Sequence, residues 1–118
     1  MIRNLTKGAV LADRVEMANT FFGRLKGLLG RSELRKGDAL VIEPCSSIHT
    51  VGMKFSIDVL FLDKRSRVVG LRKCVDPFRF TRVFWRARQA IELPASSIDD
   101  TNTGMGDIID IDAGLSED

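Results

Sequence analysis

The sequence predicts a mainly β fold, a compact sandwich, jelly-roll-like or barrel-like arrangement of about six strands with one short α-helix, over residues 20–30, packed at one side. Three observations predict it. From residue 38 onward, short segments rich in Val, Ile, Leu and Phe recur, bounded by Gly, Pro, Asp or Ser. Only the stretch before them carries helical periodicity. Pro44, Pro77 and Pro94 all fall at the ends of apolar segments, where a missing amide donor does least harm to a sheet.

Residues 4–12 read as a first strand, weakened by Gly8. With Thr20 as N-cap, Phe21, Phe22, Leu25, Leu28 and Leu29 fall on one helical arc, and Gly30 is a stop signal. Arg24 and Arg31 share one edge of that stripe, where arginine stems cover a core edge or point into a bordering cleft. Further strands are expected over residues 39–43, 55–62, 67–75, 87–93 and 107–111. Residues 64–66 form the short link of a hairpin, and residues 99–103 a single helical turn.

A length of 118 residues, 44% of them hydrophobic, suits one domain with one core, spanning residues 1–118 and ending in a short acidic tail. The N-terminal stretch lacks a signal-peptide h-region, and no run approaches the roughly 18 apolar residues of a membrane span. A soluble, cytoplasmic protein with no membrane partner is the expectation. Cys45 and Cys74 read as thiols rather than as a disulfide, since two cysteines in a chain with an adequate core rarely serve as a staple.

Net charge is +2, but all 18 Lys and Arg lie in residues 1–88, beside eight acids, and the remaining residues hold eight acids and no base. Residues 64–88 contain nine bases and one acid, Asp76. Such a segment can present a positive face to phosphate or carboxylate. The acidic C-terminal third can also neutralise it within the fold, and for that reason nucleic acid is not the expected partner. Trp85, between Phe84 and Arg86, reads as a half-buried anchor at a strand edge rather than a stacking platform.

The run CSSIHTVGMKFSIDVLFLD, residues 45–63, is the most informative segment. Both faces of residues 55–62 are apolar, so Asp58 sits in a strand buried on both sides and needs donors or a cation. The first expectation is a carboxylate that accepts backbone or hydroxyl donors. The functional alternative is a carboxylate that orients His49 or a ligand. Cys45, His49 and Asp58 formally supply a thiol, a base and an acid for a hydrolase or thiol enzyme, although no nucleophile-elbow pattern surrounds Cys45. Cys45, His49, Asp58 and Cys74 show no metal-ligand spacing, and neither a metal nor a cofactor is expected. The leading functional reading is a non-catalytic domain in which Arg24, Arg31, His49, Thr50 and Asp58 bind a small polar or anionic ligand in a cleft near the 45–58 loop and the helix. An interaction domain using the basic 64–88 segment is a further alternative.

The motifs GRLKGLLGR (23–31), CSSIHTVGMKFSIDVLFLD (45–63), RVVG (67–70), ARQAIELPA (87–95) and GD (106–107) together resemble domain-of-unknown-function family 192. The resemblance covers roughly residues 5–111. It implies a compact β fold with one helix, and it implies no activity. Its motif positions fall on Gly27, Leu28, Arg31, His49, Thr50, Met53, Asp58, Phe61, Leu62, Glu92, Leu93, Gly106 and Asp107. Two departures are Ser56, where proline is common, and Ala95-Ser96, where Ala-Gly is usual. Glycine after Ala95 would permit a positive φ that serine resists.

Overall fold

A computed structural model of the chain describes residues 1–20 and 31–112. Eight strands form two sheets, with one short helix among the described residues. The strands are β1 (Ile2–Asn4), β2 (Ala9–Ala12), β3 (Arg14–Ala18), β4 (Asp38–Ile42), β5 (Ile57–Leu62), β6 (Val68–Val75), β7 (Gln89–Pro94) and β8 (Ile109–Ile111). The helix α1 (Ser97–Thr101) lies between β7 and β8. The small sheet has the order β2-β1-β8, and the large one β3-β4-β7-β5-β6. The two do not close on each other, so the sandwich-like expectation stands and the barrel does not. The helix expected over residues 20–30 falls, beyond Thr20, outside the described residues.

Alternation along the central strands explains the layering. In β4, β5 and β7, Ala39, Val41, Leu60, Leu62, Ile91 and Leu93 face a core completed by Ile2, Leu11 and Ile109 of the small sheet and by Ile98 of α1. Leu40, Ile42, Ile57, Val59, Phe61 and Ala90 face the opposite way. There they meet a layer of loops through Ile48, Met53, Phe84 and Ala87. A strand buried on both faces must be apolar at every position, and β5 is, apart from Asp58. Each of its large side chains contributes about 1.5–3 kcal/mol by leaving water.

The expected strand over residues 4–12 is instead a hairpin. Asn4 ends β1, the Gly8 amide bonds the Asn4 carbonyl at 2.9 Å, and Gly8 takes a φ of 68° that other residues resist. Asn4 Oδ1 also accepts the Lys7 amide, closing the turn. β3 lies outside the strands expected from the sequence. It is an edge strand with exposed Arg14, Glu16 and Met17, so its alternation is blurred, and it pairs in parallel with β4. A parallel pair needs a long crossover, and residues 19–37 provide it.

The single turn expected over 99–103 is α1, two residues earlier. Ser96, where the family resemblance favours glycine, takes a left-handed φ of 78° just before it, a conformation that costs an ordinary residue about 1 kcal/mol or more.

Candidate functional site

The residues expected to form a ligand site are distributed over both faces of the large sheet. Asp58 is fully buried among the side chains that face the small sheet. Its Oδ1 accepts the Cys74 amide at 2.9 Å and its Oδ2 the Ile98 amide at 2.8 Å. The carboxylate therefore ties the end of β6 to the first turn of α1, a turn whose own N-cap, Ser96, supplies no side-chain bond. Neither bond goes to His49.

His49 and Thr50 lie on the other face, in the loop layer. Residues 48–50 pair with 79–81 as a short antiparallel ribbon, through Thr50 N to the Arg79 carbonyl and Thr81 N to the Ile48 carbonyl. The buried Thr50 hydroxyl donates to the Asp76 carbonyl at 2.6 Å and accepts the Arg79 amide at 2.9 Å. Its hydrogen-bonding capacity goes into pinning two loops. His49 Nδ1 accepts the Val51 amide, and the imidazole lies 6.0 Å from the Phe80 ring.

The Cys45 Sγ donates to the Ser47 carbonyl, and Cys74 is exposed, so the two cysteines form no disulfide. Arg31 bonds both carboxylate oxygens of Glu16, and Arg24 lies outside the described residues. The structure thus brings no pair of Cys45, His49 and Asp58 into hydrogen-bond contact. Among the described residues no three His, Cys, Asp or Glu side chains are grouped to hold a metal ion.

A concave site exists elsewhere, between two turns contributed by the basic segment. The first turn, residues 63–67, links β5 to β6. Asp63 Oδ1 accepts the Arg65 and Arg67 amides, and Ser66 adopts a left-handed φ of 63°. Burial works against ionisation of Asp63, but these amides and the charges of Arg67 and Arg65 outweigh it and hold its carboxyl below the usual range.

The second turn is residues 84–87, closed by the Ala87 amide on the Phe84 carbonyl at 2.8 Å. Phe84 and Ala87 are buried, so Trp85 and Arg86 at the apex point outward, and Trp85 is 86% exposed. The expectation that Trp85 anchors a strand edge is corrected here: Phe84 is the anchor. Its ring stacks on Phe61 with centroids 4.4 Å apart, beneath the guanidinium groups of Arg82 and Arg72 at 4.3 and 4.9 Å.

Gly70 makes that anchorage possible. A Cβ on it would come within 2.4 Å of the Phe84 ring. Gly70→Ala is expected to displace the ring and to cost about 1–3 kcal/mol by overpacking, read as a lower urea midpoint at unchanged m-value.

The two turns enclose a cleft of about 520 Å³ lined by Asp63, Lys64, Arg65, Arg67, Trp85, Arg86 and Arg88. Five cations and one carboxylate give the lining a net charge of +4, and Asp63 spends an oxygen on its own turn. Among the described residues, no acid of the C-terminal third lines this cleft. A concave basic surface of this kind concentrates anions, and a nearly bare indole offers them a flat apolar plane.

Fold and cleft together define a two-sheet β domain that carries a basic, aromatic concave face between the 63–67 and 84–87 turns. The chain belongs to domain-of-unknown-function family 192, described as uncharacterized ACR, whose profile matches residues 2–111. Relatives described as UPF0127 protein, from Thermococcus sibiricus and Thermococcus gammatolerans, are 38% and 35% identical over 114 and 116 residues. These alignments cover 93% and 95% of this chain and 73% and 75% of the relatives.

A solved protein of unknown function from Novosphingobium aromaticivorans superposes with a TM-score of 0.82 at 18% identity, over 93% of this chain and 82% of that one. A putative transcription regulator from Sinorhizobium meliloti gives 0.77 at 16% identity, over 92% and 88%. Likeness at these identities shows the fold alone. No helix among the described residues is long and apolar enough to cross a membrane.

Proposed function

We propose that the domain is a binding module for an anionic ligand, held without catalysis in the cleft between the 63–67 and 84–87 turns. The observation that carries this reading is the lining itself: five cations around about 520 Å³, one exposed indole, and a single carboxylate engaged with its own backbone. The lining offers charge and an aromatic plane, and among the described residues it pairs no nucleophile with a base, so recognition is the chemistry it supports. Of the ligand class expected from the sequence, small and polar or anionic, this reading keeps the anionic character. The ligand's place moves from the 45–58 loop to the basic segment, because Thr50 and Asp58 already make their hydrogen bonds within the protein.

Trp85 is the only tryptophan of the chain and reports directly on the cleft. Titration with pyrophosphate, citrate and a nucleoside triphosphate at low ionic strength is expected to change its fluorescence saturably. Added salt should weaken the response, because exposed charges are screened over about 10 Å at 0.1 M. The double variant Arg67→Glu, Arg86→Glu is expected to lower the apparent affinity about tenfold or more, since it turns two attractive charges into repulsive ones. A wild-type fluorescence that responds to none of these anions at low salt overturns the reading.

A further inference from the structure

We infer that the occupant of this face is a single-stranded nucleic acid, an inference that rests on the anion-binding reading above and gives it a ligand class. It begins from a second recess beside the first. This recess, of about 210 Å³, is lined by Val69, Arg82, Phe84, Trp85 and Arg86. Trp85 and Arg86 line both recesses, so they form the ridge between them. A ligand that fills both must be elongate, cross the ridge, and place something flat on the indole. It must also carry negative charge on either side of that contact, to meet Lys64, Arg65, Arg67 and Arg88 in one recess and Arg82 in the other.

The same stretch of chain carries two more exposed rings. Phe80 is 76% exposed and Phe78 65% exposed, with exposed Arg79 between them. Residues 78–85 can reach at most about 25 Å, enough to follow several nucleotides. Aromatic planes alternating with cations are the surface on which unpaired bases stack while the phosphates are neutralised. A duplex keeps its bases stacked on one another and would leave the three exposed rings in water. An acidic polypeptide would answer the cations but has few flat rings to offer the indole.

An oligonucleotide of about twelve residues, unstructured and in DNA and RNA versions, is the probe, because single-strand sites span roughly 4–16 nucleotides. Binding to the full chain is followed by anisotropy of the labelled strand and by quenching of Trp85. The logarithm of the association constant is expected to fall by about 0.7 per contacted phosphate for each tenfold rise in salt, about 3 in all for four or so contacts.

Trp85→Ala is expected to weaken binding about tenfold while leaving that salt slope in place, and Trp85→Phe to restore part of the loss. The charge reversal Arg67→Glu, Arg86→Glu is expected to flatten the slope. Trp85 and Arg86 are exposed at a turn apex, so an unchanged circular dichroism spectrum shows that these variants fold. A duplex of the same sequence should compete markedly less well than the single strand.

Polyphosphate of matched length competing as well as the oligonucleotide, with Trp85→Ala unchanged, overturns the nucleic-acid inference and leaves the anion cleft standing. Tighter binding of polyglutamate than of the oligonucleotide assigns the face to an acidic protein and likewise overturns it. Failure of every polyanion to bind at low salt overturns both readings.

Discussion

Asp58→Ala is expected to remove about 3–5 kcal/mol of stability, a large part of the 5–15 kcal/mol that a domain of this kind possesses. The loss is the sum of two effects at one carboxylate. Charge-assisted hydrogen bonds are each worth about 1.5–3 kcal/mol, and Asp58 makes two, to the amides of Cys74 and Ile98. Alanine also leaves the Ile98 amide unpaired in a buried setting, where the donor cannot recover water as a partner. Cys74 holds a left-handed φ of 50° at the end of β6, so strain relieved there on losing the bond offsets a small part of the loss.

Urea unfolding checks the expectation, with a lower midpoint at unchanged m-value as the signature. Asp58→Asn should fall between wild type and alanine. It keeps one acceptor oxygen but turns an amide NH₂ toward one of the two backbone donors. The salt bridge from Lys73 to Asp99 at 2.7 Å joins the same two elements at the exposed surface, where solvent screens it, and cannot replace the buried bonds. An alanine variant within about 1 kcal/mol of wild type would show that these bonds merely substitute for water.

How far the sequence could be read follows from which contacts are local. The double-sided burial of β5 was legible because alternation records both faces of a strand in its own residues, and the demand that Asp58 be satisfied followed from it. The identity of its partners was not legible. Cys74 and Ile98 lie 16 and 40 residues away, and both donate through backbone, which leaves no mark on side-chain chemistry. The hairpin between β5 and β6 was legible from three polar residues between two apolar runs. The split of β1 from β2 was hidden because Asn4 and Gly8 shape the turn within a stretch that still averages as strand.

The outward turn of Trp85 depends on Gly70 admitting Phe84, a pairing across 14 residues that no local pattern encodes. The cleft depends in turn on that anchorage. For this reason a site assembled from residues 63–67 and 85–88 could be foreseen only as a basic segment. A signal was nevertheless present in the Phe84-Trp85 pair. Adjacent residues point to different sides of the chain, so outside a strand buried on both faces two neighbouring large aromatics are expected to split between core and surface.

Glu92 sets the second large effect, and it appears as a dependence of stability on pH. In β7 its neighbours Ile91 and Leu93 face the small sheet, so alternation turns Glu92 to the opposite face, opposite Leu40 of β4 and Val59 of β5. It is only 3% exposed, and its Oε1 has no hydrogen-bond partner among the described residues. Burial pushes its carboxyl up from 4.5 to about 7, a rise that the charge of Arg31 only partly opposes.

Between pH 4.5 and about 7 the folded chain holds a proton that the unfolded chain has released, so raising the pH through this window favours unfolding. At about 1.4 kcal/mol per pH unit, the folded state should lose about 3 kcal/mol across the window and change little from this group above it. Asp107 acts at the other end of the scale. Burial opposes its ionisation, but the Asn4 and Lys7 side chains and the Gly104 amide outweigh burial and hold its carboxyl below the usual range, so its contribution is present at neutral pH and disappears in acid.

Glu92→Gln, which keeps the shape of the protonated side chain, should match wild type near pH 4.5 and exceed it at pH 8 by about 3 kcal/mol, with the decline between those pH values abolished. Urea midpoints of both proteins measured across the range decide the matter, and a decline that persists in the glutamine variant assigns the pH dependence to another group. Since Glu92 sits in the middle strand of the larger sheet, the wild-type chain carries a buried charge at its centre once the pH rises above about 7. The stability gained by Glu92→Gln measures what that charge costs.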